Sequence, residues 1–266
     1  MKTAIIIPAR YASTRFPGKP LVSIGGETML SRVANIARQA AHSLKNVTLA
    51  VATEDARIEE HCRQIGIQCI MTSDNCKTGS DRVLEAATHL GGDFDFVVGL
   101  QGDAPFTPVE APVKMLEAFI GDPSIEVVTP IVQLRWVELD ALRDSKKVTP
   151  FSGTTCVTDA KGKALWFSKN ILPAIRKEET LRKGEFSPVF QHIGLYGFRF
   201  DILKKFVTLP EGKYEKLEGL EQLRLLENGI SIQTVTLKVD AGMAQAGVDS
   251  PEDVERAEKL LASARR

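Results

Sequence analysis

The chain has 266 residues, in which 34 lysines and arginines balance 34 aspartates and glutamates. That length is enough for a full core, and α/β folds of this size often run as one domain; the cancelled charge excludes a global field that would attract nucleic acid or an anionic membrane. Cys62, Cys69 and Cys76 recur every seven residues and Cys156 stands alone, with no C-x-x-C pair, so buried reduced thiols are expected rather than a metal site or disulfides.

In chain order, the opening "MKTAIIIPARYAS" imitates a secretory signal through Lys2, an apolar run and small residues. The run is about five residues, short of the ~7–15 of a signal core, and Pro8 and Arg10 end it. No later segment approaches the ~18 apolar residues of a membrane span, so a soluble, cytoplasmic protein is expected. Residues 4–7, 47–51, 67–70 and 96–100 read as buried strands, and 29–41, 56–65 and 83–90 as helices between them. This βαβ rhythm predicts a mostly parallel, Rossmann-like sheet covered on both faces. Beyond 127–132 the rhythm changes: 147–168 and 189–199 read as consecutive strands around the turn "DAKG", an antiparallel lobe inserted on the sheet. The polar stretch 176–187 reads as a mobile loop. A helix over 218–227, a strand over 232–239 and a last helix capped by Ser250 with Pro251 at its first position complete the chain.

The loop after the first strand is the usual phosphate site of an open α/β sheet. Here it contains neither G-x-G-x-x-G nor G-x-x-x-x-G-K-[ST]. It carries Arg10, Arg15 and Lys19 instead, stiffened by Pro17 and Pro20. Two guanidinium forks and one point charge can hold a polyphosphate without glycine-rich amides, and the prolines lower the ordering cost. Missing glycines exclude a dinucleotide oxidoreductase.

"IPARYASTRFPGKPL" resembles the R-x-x-S-x-R-x-P-x-K signature of the 3-deoxy-manno-octulosonate cytidylyltransferase (CMP-Kdo synthetase) family of sugar-activating nucleotidyltransferases. Further blocks similar to that family follow in order: "TGSDRVLEA" at 78–86, "LQGDAPF" at 100–106, "WFSKN" at 166–170, "HIGLYGFR" at 192–199, "LEQLRLLENG" at 220–229 and "GVDSPED" at 247–253. The resemblance implies transfer of CMP from CTP to the anomeric hydroxyl of an acidic sugar, a 3-deoxy-2-ulosonic acid, with release of pyrophosphate. It also implies a cytoplasmic homodimer of lipopolysaccharide biosynthesis that uses Mg²⁺. Residues 1–132 would form the nucleotide-binding half, 133–240 the sugar-binding and dimerisation lobe, and 241–266 the metal-site loop and helix.

The residues themselves fit that chemistry. Asp103 ends a strand at the ligand edge and Asp249 arrives just before the last helix; two such carboxylates suit a Mg²⁺ shared with phosphates, although Asp249 beside the Ser250 cap could equally serve the helix. Arg10, Ser13, Arg15 and Lys19 fall on the triphosphate side; the resemblance implies that Arg82 and Gln101 lie toward the nucleotide, a plain strand-end glutamine being the alternative for Gln101. Ser80 and Asp81 could contact ligand or cap their helix. On the sugar side, His192 and Tyr196 share one face of a strand, and Glu221 and Gln222 share a helix surface with Glu218. A packed, internally bonded His192 is the alternative there. Lys19, Asp103 and Asp249 are the expected catalytic set.

The sequence departs from the family at Lys169, where an arginine is usual, and at Ala104, where a glutamate is usual; the strand before "FSK" is also longer. An ammonium recognises a carboxylate differently from a forked guanidinium, so a changed acceptor pocket is expected. Another acidic sugar, another base, or a non-catalytic binding protein of the same fold are the rival functions.

Overall fold

Strand β1 (Thr3–Pro8) is buried throughout in the computed structural model, which describes residues 1–12, 16–239, 247–248 and 250–264. Ile5 and Ile7 enter one apolar core while Ala4 and Ile6 enter the other, the two-residue period of a strand covered on both faces. A small hairpin, β2 (Ser23–Ile24) and β3 (Glu27–Thr28), leads into α1 (Met29–His42), whose cap Thr28 accepts from the Ser31 N–H. Then β4 (Val47–Thr53), α2 (Ala56–Gln64), β5 (Cys69–Met71), α3 (Gly79–His89) and β6 (Phe96–Gly99) continue the alternation. Next come α4 (Glu110–Gly121), β7 (Val127–Arg135), α5 (Trp136–Val148), β8 (Thr155–Thr158), β9 (Ala164–Ser168), α6 (Glu178–Leu181), β10 (Phe186–His192) and β11 (Tyr196–Arg199). The chain ends with α7 (Phe200–Thr208), α8 (Lys213–Glu218), α9 (Gln222–Glu227), β12 (Ile232–Leu237) and α10 (Pro251–Ala264).

The main sheet runs β5-β4-β1-β6-β11-β7-β10-β8-β9, with β12 added alongside β7. β5, β4, β1 and β6 are mutually parallel; β11 joins antiparallel to β6 and β7, and β10, β8 and β9 form the antiparallel lobe. The turn "DAKG" joins β8 to β9 as expected. Chain order reverses across β1 and β6, so the carboxyl ends of these two strands frame a switch-point crevice. All four cysteines are free thiols. No described helix is long and apolar enough to cross a membrane.

Four expectations are corrected. The span 147–168 is not strand from its start: α5 runs to Val148, Pro150 ends any helical continuation and residues 149–154 form a turn. The polar stretch 176–187 is strapped onto α5, because Arg143 and Arg182 bond both Glu178 and Asp140 and α6 forms within it. The single helix over 218–227 is two, since Gly219 takes φ +63°, a left-handed conformation that closes α8 before α9 begins. His192 and Tyr196 end one strand and begin the next, with residues 193–195 turning between them. In addition, α3 starts at Gly79 on the cap Thr78, and Asp81 returns the bond to the Thr78 N–H.

Candidate active site

The switch-point crevice is built by backbone first. The loops leaving β1 and β6 cross so closely that a Cβ on Gly102 would sit 2.7 Å from the Pro8 carbonyl oxygen, which requires glycine there. That crossing brings Arg10, Gln101 and Asp103 to one cleft of about 310 Å³, whose far wall is Lys19 and whose floor is Gly79 and Arg82. Lys19 follows Gly18, at φ +73°, in a short 3₁₀ turn with Pro20 inside it, so the loop delivers its ammonium from a fixed backbone. Nζ of Lys19 donates to Oδ2 of Asp103 at 2.8 Å. Arg10 is exposed at the rim. Ser13 and Arg15 lie outside the described residues.

Arg82 is 1% exposed, and its guanidinium is committed to Glu54 (2.7 Å) and the Thr72 hydroxyl (2.5 Å). It therefore charges the floor of the cleft from below while its partners neutralise it. Neither Glu54 nor Thr72 was foreseen; both follow β-strands whose ends point at the crevice, which was the available signal. Ser80 faces the other way, bonded to Glu221 in a small cavity shared with Tyr196 and Phe198.

A second cleft, about 440 Å³, shares Gln101 and Asp103 with the first and extends past Ala104 toward the antiparallel lobe. Lys169, at the end of β9, donates from Nζ to the Thr154 hydroxyl at 3.1 Å, and its backbone N–H donates to Glu218 at 2.8 Å. Burial lowers the Lys169 pKa below the ordinary lysine value, with Glu218 opposing. His192 is held by a chain of bonds: the single proton of the Thr129 hydroxyl goes to the Leu195 carbonyl at 2.8 Å, so His192 Nε2, 2.8 Å from that oxygen, must donate to it. Nδ1 is then the acceptor nitrogen. Burial, aided by Lys169, depresses the His192 pKa to about 3, so the ring is neutral. It also packs against Tyr196, whose phenol burial keeps well above its ordinary pKa, with Glu221 adding to the effect. The packed, internally bonded reading of His192 is what the structure shows, and the residue also lines the cleft.

Glu221 and Gln222 sit at the start of α9 rather than beside Glu218. Gln222 is 4% exposed and lines the second cleft, yet its Nε2 has no hydrogen-bond partner, and neither has Oε1 of Glu221. Burial raises the Glu221 pKa. The Gln222 amide thus presents an orphaned donor at the second cleft, while Glu221 lines the small cavity it shares with Ser80.

Asp249 lies outside the described residues. Its neighbours are placed: the Val248 N–H donates to the Asp103 carbonyl at 3.1 Å, and Ser250 exchanges capping bonds with Asp253. Among the described residues no group of three or more histidines, cysteines or acids could hold a metal. Asp103 alone offers a half-exposed carboxylate at the junction of the clefts.

A reversed parallel sheet whose cationic crevice opens through one carboxylate into a polar second cleft defines a nucleotidyltransferase. The cytidylyltransferase family model matches residues 4–232, and the chain belongs to that family. It is 41% identical to the 3-deoxy-manno-octulosonate cytidylyltransferase of Maricaulis maris, over 99% of this chain and 98% of that one, and 39% identical to that of Bacteroides thetaiotaomicron, over 98% of each. The structure of a CMP:2-keto-3-deoxy-manno-octonic acid synthetase complexed with CTP superposes with a TM-score of 0.82 at 31% identity, covering 99% of this chain and 100% of that one. A cytidylyltransferase from Leptospira borgpetersenii, 20% identical with a TM-score of 0.62, covering 99% of this chain and 87% of that one, shares the fold.

Proposed function

We propose that this protein transfers CMP from CTP to the anomeric hydroxyl of 3-deoxy-manno-octulosonate (Kdo) or a close relative, releasing pyrophosphate. The observation that carries the reading is the shared edge of the two clefts at Gln101 and Asp103. A donor bound in the first and an acceptor bound in the second would meet there.

The chemistry needs positioning and charge neutralisation rather than a covalent intermediate. Arg10 and Lys19, with Arg15, hold the triphosphate, and their charge stabilises the leaving pyrophosphate as the α-phosphorus–oxygen bond breaks. Ser13 belongs to the same loop. Gln101 offers both donor and acceptor toward the nucleotide, and Arg82 supports that side from beneath. In the second cleft Lys169 takes the acceptor's carboxylate, while His192, Tyr196 and Gln222 line the place of its hydroxyls. Ser80 and Glu221 lie behind this side, in the small cavity that backs Tyr196 and Gln222.

Mg²⁺ is proposed as the cofactor, held by Asp103 and Asp249. A half-exposed carboxylate at the donor–acceptor junction suits an ion that takes one or two protein oxygens and the rest from phosphate and water. When bound, it neutralises phosphate charge and acidifies the attacking hydroxyl. Lys19, which donates to Asp103, would share its ammonium with the phosphates. A cytoplasmic enzyme of lipopolysaccharide biosynthesis is proposed from the resemblance of the sequence blocks to their family. A homodimer is supported by exposed apolar side chains on the lobe, including Val148, Phe151 and Leu217.

The test is pyrophosphate release from a panel of nucleoside triphosphates with Kdo and other ulosonic acids. Turnover that requires CTP and a 3-deoxy-2-ulosonic acid is expected. Turnover with neutral sugars alone, or none with any acid, refutes the reading.

A further inference from the structure

Lys146, in the last turn of α5, lines neither cleft, and its hydrogen bonds among the described residues all go to backbone carbonyls. Nζ donates to Ser152, to Gly153 at 3.2 Å and to Lys169 at 2.6 Å, with Pro150 3.4 Å away. A lysine late in a helix commonly caps that helix's own last carbonyls. Lys146 does not: its acceptors lie in the following turn and at the end of β9, the last of them 23 residues on. A half-buried ammonium with carbonyls for partners forgoes water and costs stability unless the geometry is well fixed. Burial and the nearby Lys169 charge both lower its pKa.

The segments it joins are neighbours along the second cleft. Thr155 pairs with Ser168 between β8 and β9, so Thr154 and Lys169 sit side by side where that hairpin meets the cleft, and Gly153, Thr154 and Lys169 all line it. The turn lies tight on α5: Gly153 takes φ +63°, and a Cβ there would meet Leu142 at 2.9 Å. Lys169 is gripped from both sides, its N–H by Glu218 and its carbonyl by Lys146, so that only its side chain is left to turn. That side chain donates to the hydroxyl of its neighbour Thr154, the residue after the carbonyls Lys146 holds.

We propose that Lys146 is a positioning residue for the transfer reaction: its ammonium pins the 150–153 turn to the Lys169 carbonyl, and so presents the Lys169 ammonium to the carboxylate of the acceptor. This rests on the reading that the second cleft takes an acidic acceptor. The nucleotide cleft, built from β1, β6 and the opening loop, has no part in the clamp.

The experiment compares the full-length protein with Lys146→Met, which keeps length and loses the donors, and Lys146→Arg, which keeps charge and donors. Three quantities are read: KM for Kdo in pyrophosphate release, Kd for CTP by calorimetry, and amide hydrogen exchange over residues 149–155 and 168–172. Lys146→Met should raise the Kdo KM roughly tenfold or more, toward the ~100-fold that a misplacement of about 1 Å can cost, with the CTP Kd within about twofold. Exchange should rise in those two segments and not elsewhere, and Lys146→Arg should recover most of both effects. An unchanged Kdo KM, an exchange increase spread through the chain, or an arginine variant as impaired as the methionine variant overturns the proposal. If the unaltered protein does not turn over Kdo, the function reading fails separately; unchanged exchange at both segments still overturns the clamp, and a confined increase still upholds it.

Discussion

The depressed pKa of His192 makes a stability prediction that can be isolated from every other titrating group. His192 is 6% exposed, and its pKa is about 3 in the folded chain against 6.5 for an ordinary histidine, with burial the larger cause and Lys169 the smaller. Because the folded value lies below the unfolded one, acid protonates the unfolded chain first. The folded state keeps its full stability above pH 6.5, loses it progressively as pH falls, and the loss levels off below about pH 3. Between pH 6.5 and pH 5 the loss from this one group should be about 2 kcal/mol, at 1.36 kcal/mol per pH unit. The perturbation is His192→Gln, whose side-chain amide can still donate to Thr129 but does not titrate. Urea unfolding of both proteins at half-unit pH steps gives the difference directly. The unaltered protein should lose about 2 kcal/mol more than the variant over that interval. Parallel curves, or a ring titration by NMR with a midpoint near 6.5, would refute the neutral, Thr129-bonded imidazole on which the acceptor-side geometry depends.

Asp103→Ala should abolish turnover in the pyrophosphate assay while costing no more than about 1 kcal/mol in thermal unfolding, because its pair with Lys19 is partly solvated. Arg82→Met should instead cost about 3 kcal/mol, since it strands Glu54 beneath the cleft; an unchanged denaturant midpoint would show the pair to be dispensable. Ser250→Ala should cost roughly 1 kcal/mol as a lost cap and spare activity, whereas Asp249→Asn should impair turnover severely with Mg²⁺ present; identical behaviour would make both residues helix caps. Lys169→Arg combined with Ala104→Glu should improve kcat/KM for Kdo without changing the apparent constant for CTP, since both positions line only the second cleft. No gain in the double variant would show these departures to be neutral for the acceptor.

The parallel half of the fold was legible because its strands are short apolar runs bounded by breakers, and β1, β4 and β6 sit within two residues of their expected ends. Helices α4, α5 and α7 were missed, and with them the ion-pair strap that turns 176–187 from a loop into packed structure. Their apolar residues are mixed with charges that find partners only in three dimensions, as Arg143 does in Glu178 35 residues away. Single residues decided the remaining errors: Gly219 broke one helix and Pro150 delayed one strand. At the site, motif residues could be named, but motifs do not report orientation. Nothing in "GSDR" says that Arg82 turns down to Glu54 while Ser80 turns away to Glu221, because both partners come from other parts of the chain. Lys146 was invisible for a related reason: a lysine bonded to carbonyls looks, in sequence, like any solvated lysine.

The ion pair of Lys19 with Asp103 at the first cleft raises a question of assembly, because its two loops have to be held in place without relying on charged contacts that a substrate exchanges. A small apolar cluster separate from the two main cores resolves it. Ile24, Met29, Val248 and Ala257 are buried together, with Phe16, Phe106, Val254 and Leu261 packed against them. Phe16 stands three residues before Lys19, Phe106 three residues after Asp103, and Val248 directly before Asp249. The segments of Lys19 and Asp103 are thus each anchored by an apolar side chain three residues from the charge; full burial of such a side chain contributes about 1.5–3 kcal/mol, and the partial burial here less. That anchoring does not depend on the sign or presence of a ligand. The backbone bond from Val248 to Asp103 joins two of the three segments in the same way. Ionic contacts such as Lys19 to Asp103 can therefore be exchanged for contacts to a substrate without loosening the loops that carry them, as neutralising charge during transfer requires.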